Sequence, residues 1–171
     1  MKYDFWNIIE TYLPDYHHRD DVLYLDICSR YLHNEDLDDS DKKMIESDFS
    51  SREDLEKFIS DEETRLYKES VENIIYNENN GDKILENILV EEIKMMGNTD
   101  GVCDLYHFPD FFNGALDRED GCTDILTAYV NDNKLSFLIS NSGDTKRTFI
   151  TLDEMNNMLK YLIATTIIDR I

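Results

Sequence analysis

Cations are scarce in this chain: 17 Lys and Arg stand against 38 Asp and Glu in 171 residues, which leaves a formal charge of −21 and an isoelectric point near 4.3. A protein that grips nucleic acid neutralises phosphates with Lys and Arg, so direct nucleic-acid binding is the first function class excluded. Cysteine is scarce as well. Cys28, Cys103 and Cys122 are odd in number and show no C-x-x-C spacing, which fits free thiols in a reducing compartment and excludes a disulfide framework. Long apolar runs are missing: none approaches the roughly 18–20 residues that span a bilayer. The first twelve residues carry Asp4, Trp6 and Glu10, unlike the basic start and unbroken apolar stretch of a signal peptide. An anionic surface is also repelled by the inner leaflet of a membrane. Cytoplasm is the expected compartment.

Aromatic residues are plentiful. Ten Tyr, eight Phe and one Trp within a 41% apolar composition supply a core and exclude disorder throughout. At this length one domain is expected over residues 1–171.

Apolar spacing predicts helices over Asp4–Leu13 and Asp20–Leu32, separated by Pro14, the second with Val22, Leu23, Ile27 and Tyr31 on its apolar face. Ser40 is placed to cap a short helix holding Met44 and Ile45. Ser50 with Glu53, and again Ser60 with Glu63, have capping-box spacing. The stretch from Leu55 to Ile75 is therefore one long helix or two joined near Ser60. Asn79-Asn80-Gly81 is a stop signal, and Ile84, Leu85, Ile88, Leu89 and Ile93 mark a further helix ending at Gly97. Residues 98–124 hold three of the six glycines and Pro109, and read as a long, partly structured acidic-aromatic loop of a kind that is usually either functional or disordered. Ile125–Val130 and Leu135–Ser140 read as a hairpin turning at Asn131-Asp132-Asn133, with a third strand at Arg147–Ile150. Thr151 and Glu154 form a capping box before a closing helix marked by Met155, Met158, Leu159, Leu162, Ile163 and Ile167. The fold class expected is α+β: a helical part over 1–97, the loop, then a small antiparallel sheet with its helix over 125–171.

The charge is uneven. It is −9 over residues 35–63, −6 over 100–124 and zero over 125–171. Self-repulsion makes so many carboxylates costly to a compact state, and acidity serving solubility alone would be spread along every exposed face. An anionic surface with interleaved aromatics suits a partner with a basic face, since complementary fields steer association and aromatic anchors supply affinity. The candidate partner-binding residues are Asp104, Tyr106, Phe108, Asp110, Phe111, Phe112, Asp117, Glu119 and Asp120 in the loop, with Glu35, Asp36, Asp38 and Asp39 from the first block. The four rings serve equally well as core filling, because large aromatics are mostly buried.

Catalytic patterns are thin. His17 and His18 lie near Asp20 and Asp21 but lack metal-ligand spacing. Asp110 with Asp132-Asn133-Lys134 mimics a metal-dependent nuclease, yet the D-x-K falls in the hairpin turn, where Asp and Asn belong for backbone reasons. Cys103 and His107 would meet only on a helix, which Pro109 opposes. The chain is expected to be a non-enzyme that needs no cofactor or metal and binds a basic protein, most concretely an immunity protein covering a nuclease-type toxin. The alternatives are a DNA-mimicking anti-defence protein and a small metal-dependent enzyme.

Overall fold

The computed structural model describes residues 5–95, 102–105, 124–141 and 147–168. The architecture is α+β, as the sequence predicts, and its contacts divide into two compact units, one of Trp6–Ser70 and the other mainly of Val71–Ile171. Among the described residues no helix is long and apolar enough to cross a membrane.

The first unit is helical. Helix α1 (Phe5–Tyr12) closes with the Leu13 N–H donating to the Ile9 carbonyl at 2.9 Å, and the chain turns after Pro14 through Asp15, whose φ of 57° is left-handed. Helix α2 spans Asp20–Leu32, as predicted, but its fully buried stripe is Val22, Leu25 and Cys28, while Leu23 is 54% exposed. Helix α3 (Asp39–Asp48) is capped by Asp38 and not by Ser40: the Asp38 carboxylate accepts from the Ser40 and Asp41 backbone N–H groups at 3.0 and 2.9 Å, satisfying donors that a helix start orphans. Helix α4 (Arg52–Asn77) is a single 26-residue helix that runs through Ser60 without a break. Its cap is Ser51, whose hydroxyl accepts from the Asp54 N–H at 3.1 Å, one residue beyond the Ser50 expected.

Five side chains form a network between the start of α2 and α4. The Arg19 guanidinium donates to Asp21 at 3.1 and 2.8 Å and to Glu69 at 2.5 and 3.0 Å. Arg65 donates to Asp21 at 2.6 Å and to Glu62 at 2.8 Å. Forked guanidinium–carboxylate pairs of this kind are stronger than point-charge pairs. Hydrogen bonds from Arg19, then Arg65, outweigh partial burial and hold the Asp21 carboxyl well below the usual range.

The second unit begins on the last turns of α4. A tight corner leads into α5 (Gly81–Met95), where any Cβ on the buried Gly81 would collide with the Ile74 carbonyl oxygen. The sheet has four antiparallel strands in sequential order: β1 (Val102–Leu105), β2 (Asp124–Asn131), β3 (Lys134–Asn141) and β4 (Arg147–Ile150). Strand β1 lies inside the segment expected as loop, and is held by register with β2, Cys103 opposite Ala128 and Asp104 opposite Thr127. The β2–β3 turn places Asp132 and Asn133 at φ of 49° and 61°, the two left-handed residues of a type I′ hairpin. Lys94 of α5 donates to Asn133 at 2.6 Å, and the Leu135 N–H donates to Glu86 at 3.1 Å. Ala128, Leu135 and Phe137 are buried with Leu85, Leu89 and Ile93 of α5 and Leu159 and Ile163 of the final helix, α6 (Asn157–Ile168). The Thr151–Glu154 capping box closes a single 3₁₀ turn, and α6 takes its own cap from Asn156, which accepts from the Leu159 N–H at 2.8 Å. Lys160, nearly buried, donates to Asp82 at 2.6 Å.

One acid breaks the pattern. Glu92 of α5 is fully buried, and neither carboxylate oxygen has a hydrogen-bond partner among the described residues. Burial pushes its carboxyl above the ordinary value.

Two outcomes are expected. Arg19→Ala should lower stability by about 1 kcal/mol at neutral pH, the discounted value for part-exposed pairs. A depressed carboxyl contributes above its unfolded value and loses that contribution as pH falls, so the gap between variant and parent in urea denaturation should narrow below about pH 4. Glu92→Leu has the opposite sign. A raised carboxyl costs nothing at acid pH and more as pH rises, so the substitution should stabilise by about 1–3 kcal/mol at neutral pH, and the gain should shrink toward about pH 4.

Candidate functional site

The first acidic block lies on α3, its preceding connection and the first half of α4. Helix starts explain part of its composition: Asp39 and Asp41 fall in the first turn of α3, and Glu53 and Asp54 in that of α4, where the macrodipole favours negative charge. The connection from α2 brings Glu35 and Asp36 to the surface. Asp38 has a structural task, since its Oδ1 also accepts from the Ser40 hydroxyl at 2.7 Å, and the helix N–H groups hold its carboxyl below the usual range. Some members have intramolecular cations: Glu35 is 3.5 Å from Arg30, Glu56 is 2.9 Å from Arg52, and Glu62 pairs with Arg65. Asp36, Asp39, Glu53, Asp54 and Asp61 are exposed and form no ion pair among the described residues. The outcome is an anionic ridge, net −9 over residues 35–63 even with Lys42, Lys43, Arg52 and Lys57 counted.

Beside the ridge sits an aromatic cluster. Phe58 of α4 packs against Tyr24 of α2 at 5.7 Å, edge-on, and against Phe49 at 5.2 Å. All three rings are half-buried. The Tyr24 hydroxyl donates to Asp48 at 2.6 Å, and burial, reinforced by that bond, raises its pKa. Cys28, also buried, has its thiol pushed up to about 11 by desolvation, the opposite of an activated nucleophile. An open cleft of about 650 Å³ adjoins the cluster, with Tyr31, Phe49, Arg52 and Glu46 on its walls.

The second block is placed only at its edge. Asp104 lies on β1, whereas Tyr106, Phe108, Asp110, Phe111, Phe112, Asp117, Glu119 and Asp120 lie outside the described residues. The aromatics found next to described carboxylates are instead Tyr24, Phe49 and Phe58, from two helices and the residue closing a third. Their separation in sequence left no local signal.

The other patterns resolve into backbone roles. Asp132 belongs to the hairpin turn. Cys103 sits on an extended strand, where a residue four positions on is not a helical neighbour. His17 and His18 lie exposed on the 3₁₀ turn Tyr16–His18, the His17 ring edge-on to Tyr16 at 5.1 Å. Among the described residues no three His, Cys, Asp or Glu side chains converge on a common point suited to a metal ion. No protein-family model, no curated protein and no solved structure matches the chain.

Uncompensated carboxylates repel one another, and salt screens that repulsion. Raising NaCl from about 0.05 M to about 0.5 M is therefore expected to shift the urea midpoint upward. A downward shift would mean that the internal ion pairs outweigh the ridge.

Proposed function

We propose that the protein is a non-enzymatic inhibitor that binds and neutralises a basic protein, in its most concrete form a cytoplasmic immunity protein that covers the nucleic-acid-binding face of a nuclease-type toxin. The observation that carries this reading is the ridge of unpaired, exposed carboxylates on α3 and α4 beside the half-buried Tyr24–Phe49–Phe58 cluster. A carboxylate array can occupy the groove that phosphates would use. Its field accelerates encounter with a cationic surface, and aromatic side chains at its margin supply contact area in the docked state. The self-repulsion that such a ridge imposes on the free protein is relieved when a partner's cations approach.

The test is capture of partners from the source cell with the intact chain, followed by binding kinetics on the purified pair. A basic partner is expected. The double charge reversal Asp36→Lys with Asp61→Lys, at positions outside any helix start, should slow association at least about tenfold at low salt and reduce its salt dependence. A partner that is acidic, or association indifferent to both substitutions and salt, would overturn the proposal. So would tight binding of duplex DNA by the chain itself.

A further inference from the structure

The stop signal between α4 and α5 contains a chemically reactive pair. Asn80-Gly81 is the one Asn-Gly dipeptide among the described residues. An asparagine side chain is open to attack by the backbone nitrogen of the next residue, and glycine, with no side chain to obstruct the approach, makes that attack easiest. Asn80 is exposed and Gly81 is buried. The Asn80 carbonyl accepts the first bond of α5, from the Ile84 N–H at 3.0 Å, which puts Asn80 where a capping side chain belongs. Its carboxamide does not cap: it has no hydrogen-bond partner among the described residues. The electrophilic carbon is thus uncommitted, whereas the nitrogen that would attack it is held. The Gly81 N–H donates to the Glu78 carbonyl at 3.1 Å, and the Ile74 carbonyl oxygen leaves no room for a Cβ on Gly81. One residue on, Asp82 accepts from the nearly buried Lys160 at 2.6 Å, which pins the start of α5 to α6.

We propose that Asn80 is a covalent modification site gated by this corner: the side chain persists while the corner is closed, and each opening exposes it to deamidation. In the open state the Gly81 nitrogen gives up its proton to water and bonds to the Asn80 Cγ. The Cγ–Nδ2 bond breaks, and ammonia leaves. The cyclic imide then takes up one water. Opening at Cγ leaves an ordinary aspartate, whereas opening at the backbone carbonyl leaves an iso-aspartate, in which the chain runs through Cβ and Cγ. Either product replaces a neutral amide with one more negative charge. The corner treats the two differently. Aspartate is favoured at a helix start, where the macrodipole suits its charge, so the corner closes again. Iso-aspartate lengthens the Glu78–Gly81 turn by one backbone carbon and displaces the carbonyl that Ile84 uses, beside a Gly81 with no room to shift toward α4. That product holds the corner open. The site records local opening, and one of its two outcomes is one-way.

The experiment ages the full chain at about 37 °C and about pH 8, in buffer and in about 6 M guanidinium chloride. Peptide mapping follows conversion, with electron-transfer fragmentation to tell iso-aspartate from aspartate. Mapping also separates Asn80 from Asn113, whose Asn113-Gly114 pair lies outside the described residues. Conversion at Asn80 should be at least about tenfold slower in buffer than in denaturant, because only the open fraction reacts. Asp82→Asn releases the Lys160 tie and leaves the Asn80-Gly81 pair intact. It should raise the rate in buffer by about threefold or more and leave the rate in denaturant unchanged. Chain carrying iso-aspartate at position 80 should lose hydrogen-exchange protection at the Gly81 and Ile84 amides, whereas Asn80→Asp should keep it. Equal rates with and without denaturant would overturn the proposal with no variant needed, as would an Asn80 that stays intact in denaturant. An Asp82→Asn rate in buffer equal to the parent's would overturn the gate. Native protection at Ile84 in the iso-aspartyl chain would overturn the one-way outcome.

Discussion

Two arginines hold the helical unit against its own charge. Arg19 and Arg65 share Asp21, and Arg19 also reaches Glu69 while Arg65 reaches Glu62, so that a small number of cations is placed where each can serve two carboxylates. The acidic block at 35–63 keeps Lys42, Lys43, Arg52 and Lys57, too few to balance its 13 carboxylates. Some of those carboxylates, Asp39, Asp41, Glu53 and Asp54, sit in the first turns of helices, which tolerate them best.

The elements most legible in the sequence are those whose causes are local. Val22 through Cys28 and Leu85 through Ile93 repeat at helical spacing, and α2 and α5 form there. Asp132-Asn133 accepts left-handed backbone at both positions, and the hairpin turns there. The cap of α3 shows the limit of such reading. Asp38 and Ser40 are equally competent chemically, and which of them meets the orphaned N–H groups depends on how the connection through buried Leu37 delivers the chain. Strand β1 is harder still. Val102–Leu105 contains an aspartate and follows a glycine, and it is a strand only because β2 lies beside it.

The candidate site divides along the same line. The acidic block at 35–63 was visible from charge alone, because charge needs no geometry. Its aromatic neighbours were not, since Tyr24, Phe49 and Phe58 meet only once three helices have packed. Glu92 is a middle case. The spacing of Leu85, Ile88 and Leu89 already points position 92 inward, and only the habit of reading acids as surface residues conceals it.

Gly81 sets a different kind of limit. The corner between α4 and α5 brings a carbonyl of one helix against the first residue of the next, leaving room for a hydrogen and nothing larger. An exposed carboxylate on the ridge can be exchanged for a neutral side chain in a single evolutionary step, and the field adjusts by one charge. No comparable half-measure exists at the corner, where even alanine displaces a helix. The charge of the helical unit is therefore free to change one residue at a time, while the corner at Gly81 is fixed for the lifetime of the fold.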